Sequence, residues 1–324
     1  MSDHTFEKKL KEELSVKMLD LEVLRKKWKS NHFFNKVLII VSLITIVGLF
    51  IMGYIPFRGP AIGFSAAVFG LILFLGKRSE KEGEKIRSQI SSEIFKTAFS
   101  LHESTLSYRK DGGISQQSFD DSKIAQFGYN IFKSHDQAIG NFQGLNVNIS
   151  QIFARFRSKN SSHLVFKGLF MQSKLQNNIN GYFIIRLKEK NQLMKLMRTN
   201  VSGFLSNFMG IDSPKEYDQP SHNEYFNANY KVYASHSFIA ENILTPDFVD
   251  NYAEHTKFEF PISLSIINNQ LNIGGHIDKP LLKLNLDESL KKISNIDEDI
   301  MYYIKMTRLI DYLNLKDLIH KIIE

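Results

Sequence analysis

The chain has 324 residues, 43% of them hydrophobic, and no cysteine. The lack of cysteine excludes disulfides, zinc–thiolate sites, iron–sulfur clusters and cysteine nucleophiles. The net charge of +7 belongs to residues 1–110, which hold 18 Lys and Arg against 11 Asp and Glu, whereas residues 111–324 hold 23 of each. A basic excess confined to one third of the chain argues against nucleic acid as a partner.

Residues 4–34 have the pattern of an amphipathic helix. Apolar side chains recur at spacings of three and four with charged residues between them, which predicts one apolar stripe. The stripe comprises Phe6, Leu10, Leu14, Met18, Leu21, Leu24 and Trp28. We interpret residues 1–36 as a cytoplasmic helix that packs on its own protein. A helix lying on lipid headgroups and a self-associating coiled helix are the alternatives.

Two uncharged segments follow this helix. Residues 37–55 and 61–76 each run without a charged side chain. Because a bilayer-spanning helix needs about 20 mostly apolar residues, we predict a transmembrane helical hairpin over residues 37–76, with its turn at residues 56–60. Acidic residues ahead of the first segment are atypical of a signal peptide, so the hairpin is predicted to be retained as an anchor.

Basic residues flank the hairpin on both sides. By the positive-inside rule they place both chain ends in the cytoplasm, where they would meet anionic lipid headgroups. The predicted membrane-interface residues are Arg25, Lys26, Lys27, Trp28, Lys29, Lys36, Lys77 and Arg78. Neither span contains an ionisable side chain, which argues against a transporter or pump.

Small residues lie four apart in the second span. Gly63 pairs with Ala67, and Ala66 pairs with Gly70. Such pairs let helix backbones approach closely in lipid. They predict helix packing against the other arm of the hairpin, with contact between copies in a homo-oligomer as the alternative.

Residues 77–113 are predicted to form a juxtamembrane helix followed by a linker. Ile86, Ile90, Ile94, Ala98 and Leu101 form one stripe, and we expect this helix to continue the second span. Asp111 and the two following glycines interrupt the pattern, which is typical of a linker.

Residues 114–324 are predicted to form a cytoplasmic α+β domain built on a mainly antiparallel sheet with short helices. Alternating apolar runs separated by turn residues predict the strands, and caps and apolar periodicity predict the helices. The predicted strands are residues 138–142, 145–156, 164–172, 181–187 and 230–235, with a late hairpin turning at residues 268–269. The predicted helices are residues 119–134, 191–208, 246–254, 287–292 and 296–313.

The domain contains no recognisable catalytic spacing. Sequences of the type GxxxxGK[ST], GxGxxG, HExxH and GxSxG are absent, so we predict no cofactor. His135, Asp136, His276 and Asp278 are weak metal candidates at strand ends, although ordinary turn or surface roles are favoured. The cations Arg155, Arg157 and Lys159 would meet an anionic lipid or an acidic partner, unless they form only a solvated strand end.

Three stretches of sequence carry a family resemblance. They are IGNFQGLNVNIS, HLVFKGLFMQS and NEYFNANYKVYASHSFIAENILTPDFVDNY. Together with the anchor they resemble bacterial membrane proteins with the domain of unknown function 3137. The resemblance implies an architecture and carries no catalytic residue. Members are often encoded beside small membrane proteins of the LemA type, which implies such a protein as a partner.

We therefore predict a membrane-anchored binding or scaffold module at the bacterial cytoplasmic membrane, with its C-terminal domain in the cytoplasm. It would bind a protein partner at the inner leaflet and would not be an enzyme. A membrane-surface enzyme of unfamiliar type and a membrane-perturbing stress or defence effector are the alternatives.

Overall fold

The chain divides into two compact units. The computed structural model describes residues 3–51, 60–101, 105–125, 127–159, 161–175, 179–188, 214–279, 281, 284, 286–290 and 296–315. The helical unit combines Met1–Leu101 with Leu282–Asp297, and the sheet unit combines His102–Leu281 with Glu298–Glu324. A segment late in the sequence therefore belongs with the first hundred residues.

The helical unit is built on two long helices, α1 (Asp3–Ile51) and α2 (Pro60–Leu101). The helices run antiparallel, because Trp28 lies against Gly83 and His32 hydrogen-bonds Ser79. The predicted apolar stripe is confirmed: Leu10, Leu14, Leu21 and Trp28 of α1 are buried, as are Ile90, Ile94 and Ala98 of α2.

The apolar end of α1 is exposed over most of its surface, and one stripe with Ile39 and Ile46 is half-buried. Val37, Ile40, Ile44 and Val47 are each at least 39% exposed. Within the described residues, Lys8–Gly48 is the one helical segment long and apolar enough to cross a membrane. The predicted hairpin turn and the side chains of residues 61–67 lie outside the described residues, so the transmembrane hairpin stays a prediction.

An antiparallel sheet of eight strands forms the sheet unit, within the part of the chain that is described. Its order is β1-β2-β3-β4-β8-β7-β5-β6, and every neighbouring pair is antiparallel. This confirms the predicted α+β class. The strands are β1 (Ser107–Arg109), β2 (Ile131–Phe142), β3 (Leu145–Arg157), β4 (Ser162–Lys174), β5 (Tyr182–Leu187), β6 (Tyr230–Ala234), β7 (Ile262–Ile267) and β8 (Gln270–His276).

Five described helices accompany the sheet. They are α3 (Gln116–Asp121), α4 (Glu224–Asn229), α5 (Ser237–Ile243), α6 (Pro246–Phe258) and α7 (Ile296–Tyr312). The predicted start of α6 is confirmed, since the Thr245 hydroxyl accepts a hydrogen bond from the Phe248 amide and Pro246 begins the helix. Helix α5 was not predicted, and the helix predicted over residues 191–208 lies outside the described residues.

The helix predicted over residues 119–134 is wrong. Helix α3 starts after Ser115, whose hydroxyl caps the Ser118 amide, and it ends at Asp121. Lys123 has a φ of +55°, which an α-helix does not allow. The apolar residues that suggested a long helix instead fill a small core on one face of the sheet. That core contains Ile114, Phe119, Ile124, Ile152, Ala154, Phe166 and Phe170.

Two further segments differ from their predicted roles. Ser107–Arg109, within the predicted juxtamembrane region, pairs with Gln137–Ile139 as the edge strand β1. Residues 286–288 form turns where a helix was predicted over residues 287–292, and residues 291–292 lie outside the described residues. Both segments are short, and tertiary pairing decides their conformation.

Candidate functional site

A break in β2 places a buried carboxylate at the centre of a polar cluster. The register of β2 against β3 shifts between His135 and Ala138, and Asp136 takes a φ of +54°. A non-glycine residue in this region costs about 1–3 kcal/mol and persists only where the surrounding contacts impose it. Such outliers occur preferentially at functional sites and at bulges that re-aim a side chain.

Three side chains hydrogen-bond the Asp136 carboxyl group. The Tyr108 hydroxyl donates to Oδ1 at 2.5 Å, the His135 Nδ1 lies 2.5 Å from Oδ2, and the Gln151 amide donates to Oδ2 at 3.1 Å. The Tyr303 hydroxyl donates to the Asp136 backbone carbonyl at 2.9 Å. Burial, together with the nearby Asp136 charge, raises the pKa of Tyr303 well above its usual value. Tyr303 therefore stays protonated and remains a donor.

His135 connects this cluster to the surface. Its side chain is 47% exposed, whereas that of Asp136 is 10% exposed. Because Nδ1 is held by the carboxyl group, the ring orientation is fixed and Nε2 is left for other contacts. The cluster can thus present one oriented imidazole to a ligand, while the carboxylate is satisfied by groups of its own unit.

The structure does not bring the four metal candidates together. His135 and Asp136 lie on β2, and His276 ends β8, with β3 and β4 between these strands. Three strand spacings of about 4.8 Å separate them. No group of three or more His, Asp or Glu residues that could hold a metal ion occurs among the described residues. We propose no metal site from these four residues.

His276 has a structural environment instead. Its ring meets Phe166 edge-on with centroids 4.9 Å apart, and its Nε2 lies 3.1 Å from the Ser263 hydroxyl. Burial lowers the pKa of His276 to about 4, against a weaker opposing effect of Asp278. The neutral ring is therefore the form that the fold accommodates.

We expect this histidine to make the sheet unit acid-sensitive. The unfolded chain takes up a proton near pH 6.5 whereas the folded chain does so near pH 4, so stability is complete above pH 6.5 and falls as the pH drops towards 4. The loss attributable to His276 should be about 3 kcal/mol. Urea unfolding of the wild type and H276Q between pH 7 and 4 measures it. Equal slopes in the two proteins would contradict this assignment.

A basic face lies beside the polar cluster on the same side of the sheet. Lys133 of β2, Arg155 and Arg157 of β3, and Lys167 of β4 form it. Lys133 and Lys167 both pair with Phe153, and residues directly opposite in antiparallel strands share a face. Arg155 and Arg157 follow Phe153 at the two-residue period of a strand. The Arg155 guanidinium stacks over the Phe153 ring at 4.9 Å.

A polar cleft of about 560 Å³ lies elsewhere in the sheet unit. Gln172 donates to the Asn272 side chain at 3.1 Å and to the Ser118 carbonyl at 3.3 Å, so part of the wall is preformed. This lining suits a small polar ligand that hydrogen-bonds to amides. The cleft is lined by Ser118, Asp121, Ser122, Lys123, Gln172, Ile267, Asn268, Asn269, Gln270 and Asn272.

Two of the predicted membrane-interface residues lie inside the helical unit. Arg25 is 5% exposed and binds the Glu22 carboxylate, while Trp28 is 8% exposed and stacks on His32 with ring centroids 4.8 Å apart. Lys29 is exposed and donates to the Asp287 carbonyl at 2.7 Å. The others, Lys26, Lys27, Lys36, Lys77 and Arg78, are exposed.

Of the predicted helix-packing residues, Gly63, Ala66 and Ala67 have side-chain environments outside the described residues. A Cβ atom at Gly70 would have no atom within 4 Å, and the same holds at Gly48 of α1. Neither glycine is in a close contact with its own chain.

Sequence reasoning missed most of the Asp136 cluster. Tyr108, Gln151 and Tyr303 lie 28, 15 and 167 residues from Asp136, so no local spacing joins them. It also missed Lys133 and Lys167 as neighbours of the predicted arginines. The register of β2–β3–β4 places them on one face, and the predicted strands at residues 145–156 and 164–172 did not specify that register.

The C-terminal part of the chain matches a known protein family. Residues 164–315 match the family described as "Protein of unknown function (DUF3137)". These residues are similar to that family. The matched range runs from β4 to the end of α7, so β1, β2 and β3 lie before it. The predicted resemblance is thus confirmed over this range, and it includes the FKGLF and TPDF stretches.

No curated protein matches the chain. One crystal structure, that of the mycobacterial trehalose monomycolate transport factor A, TtfA, is similar over 66% of this chain and 94% of that chain. The identity is 11% and the TM-score is 0.31. A similarity at this level is not evidence for the fold or the function of this chain.

Proposed function

We propose that the protein is a membrane-anchored binding module. The apolar part of α1 crosses the bilayer, and the sheet unit binds a protein partner at the cytoplasmic face of the bacterial inner membrane. A LemA-type membrane protein is the partner that the family resemblance suggests.

The observation that carries the anchor is a change of surface along one helix. In the first half of α1, one stripe is buried against protein, and the charged residues other than the Glu22–Arg25 pair are mostly exposed. Beyond Phe33 most apolar side chains are exposed, with Ile44 at 65%, and only the stripe with Ile39 and Ile46 is half-buried. A helix that is apolar all round needs either a protein core or a membrane. The described residues provide no core around this segment.

Charge supports the orientation. Exposed cations at Lys26, Lys27 and Lys36 precede the apolar segment of α1, and Lys77 and Arg78 follow the predicted second span. The short turn between the spans holds Arg58 alone. By the positive-inside rule, both termini then lie in the cytoplasm.

The Asp136 cluster favours binding over catalysis. The carboxylate accepts from Tyr108 and Gln151 and contacts His135, so its hydrogen-bonding capacity is used within its own unit. A cluster satisfied in this way holds the bulge in place. The exposed imidazole then provides a contact for a partner.

A matched pair of arginine substitutions tests the anchor. Ile44 and Val23 are similarly exposed on α1, at 65% and 67%. We expect I44R to oppose insertion by about 3 kcal/mol, because arginine near the centre of a span is costly, whereas V23R should have no such effect. Carbonate extraction of membranes measures the retained fraction, and protease added to spheroplasts should leave the sheet unit intact.

Crosslinking in the same cells tests the binding role separately. Crosslinking of the wild-type chain should capture a recurrent membrane-protein partner, and I44R should lose it while V23R keeps it. Extraction of the wild type by carbonate, or digestion of the sheet unit in spheroplasts, would show the anchor or its orientation to be wrong. A correctly anchored chain that captures no partner would refute the binding role.

A further inference from the structure

The β3–β4 hairpin has an unusually one-sided charge. Residues 131–175, from β2 to the end of β4, contain six Lys and Arg but one acidic residue, Asp136. That aspartate is buried in its own hydrogen-bonded cluster. The exposed charges that this stretch itself contributes to the surface are therefore all positive.

The cations of the basic face make no ion pair among the described residues. Lys133 and Arg157 are exposed, as is Lys159 in the turn, and the Arg155 Nε is buried without a hydrogen-bond partner in the described structure. Neighbouring cations along β3 are about 7 Å apart and those across the three strands about 10 Å apart. This spacing suits a surface with many anions.

Two exposed apolar side chains lie at the tip of the same hairpin. Phe156 is 40% exposed and Leu164 is 38% exposed. Leu164 pairs with Arg155 and shares its face, whereas Phe156 pairs with His163 on the other face. Exposed apolar side chains beside cations favour an interfacial position, because burial of apolar area adds to the electrostatic attraction to anionic lipids.

We infer that the tip of the β3–β4 hairpin docks on an anionic lipid surface. The inference rests on the proposed anchoring, since a tethered domain needs only a weak attraction to dock. Charge complementarity together with exposed Phe156 and Leu164 favours lipid over an acidic protein segment.

The absence of cysteine makes a direct test possible. A single cysteine in full-length protein can carry a fluorophore either at Ser158 in the hairpin turn or at Asn146, near the other end of β3, about 40 Å away. Both positions are exposed. The labelled proteins are placed in lipid nanodiscs that contain a spin-labelled quencher lipid, with phosphatidylglycerol or with phosphatidylcholine only.

We expect quenching of the S158C label, and not of the N146C label, in discs that contain phosphatidylglycerol. K133Q/R157Q/K159Q should weaken docking roughly a hundredfold, since each cation near an anionic surface contributes about fivefold. The matched control is R109Q/K174Q/K215Q, which removes three exposed cations elsewhere on the sheet unit and should leave quenching unchanged.

Other results would contradict either the inference or the anchoring on which it rests. An unquenched S158C label in anionic discs, or equal effects of the two triple variants, would overturn the inference while leaving the anchor intact. Loss of a crosslinked acidic protein by K133Q/R157Q/K159Q without lipid quenching would identify the face as a protein-binding surface and also overturn it. Chain recovered outside the discs would instead refute the anchoring on which the inference rests.

Discussion

Replacing Gly168 by alanine should destabilise the sheet unit by about 4 kcal/mol or more, which is exceptional for one methyl group. Gly168 begins the pairing of β4 with β8 and has a φ of +149°. A Cβ atom there would lie 1.9 Å from the Gly275 carbonyl oxygen and 2.8 Å from the Ile277 amide nitrogen. Both neighbours are backbone atoms of the adjacent strand, so they cannot move aside as a side chain would.

Gly144 provides the matched control for this prediction. Its φ is +85°, but a Cβ atom there would have no atom within 4 Å. G144A should therefore lower the free energy of unfolding by only about 1 kcal/mol, the effect of a left-handed backbone at a non-glycine residue. Hydrogen exchange of the β4 and β8 amides in the full-length protein compares the two variants. Equal losses of protection would show that strand contact is not what requires glycine in the FKGLF stretch.

Replacing Arg25 by methionine should destabilise the helical unit by about 3–5 kcal/mol, because it leaves a buried carboxylate without its partner. The Arg25 guanidinium donates to both carboxylate oxygens of Glu22, at 2.7 and 2.9 Å, and to the Leu286 carbonyl at 2.8 Å. Glu22 in turn accepts from the Leu290 amide at 2.9 Å. The pair thus fastens residues 286–290 to α1.

Trp28 reports this loss directly, since it is the one tryptophan of the chain and is buried in the same unit. Unfolding in detergent, followed by its fluorescence, should show the large effect for R25M and less than 0.5 kcal/mol for the exposed neighbour in K26M. Similar midpoints for the two variants would mean that the pair does not stabilise the unit.

The Glu22–Arg25 pair should also make the stability of the helical unit depend on pH. The hydrogen bond from Arg25 lowers the pKa of Glu22 to about 2, although burial opposes it. Stability from this carboxylate is therefore present above pH 4.5 and is lost as the pH falls towards 2. In R25M the stability should therefore change less between pH 4.5 and pH 2 than in the wild type.

Local chemistry made several elements predictable. The turn at residues 268–269 was recognisable because asparagine tolerates positive φ, and Asn268 indeed has a φ of +55°. The start of α6 was recognisable from Thr245 and Pro246. The apolar stripe of α1 was recognisable because seven residues shared one period. In each case the signal lay within a few neighbouring residues.

Longer-range features escaped prediction for the same reason. Ile124, Phe127, Ile131 and Phe132 have a spacing compatible with a helix, and only the partner strands show that the first two lie in a loop and the last two in β2. Arg25 was expected at headgroups because its charge pointed there, whereas its partner Leu286 lies 261 residues away. Such contacts become possible only after residues 102–281, the larger part of the sheet unit, have been synthesised.

The return of residues 286–290 to α1 affects the order of events during synthesis. Arg25 leaves the ribosome about 265 residues before Leu290, and at about 5–20 residues per second this interval is about 13–50 s. Insertion of the apolar segment has time to occur first, while Glu22 and Arg25 have only each other. The helical unit is then finished late, so a truncated nascent chain ending before residue 286 should be an early target for quality-control proteases.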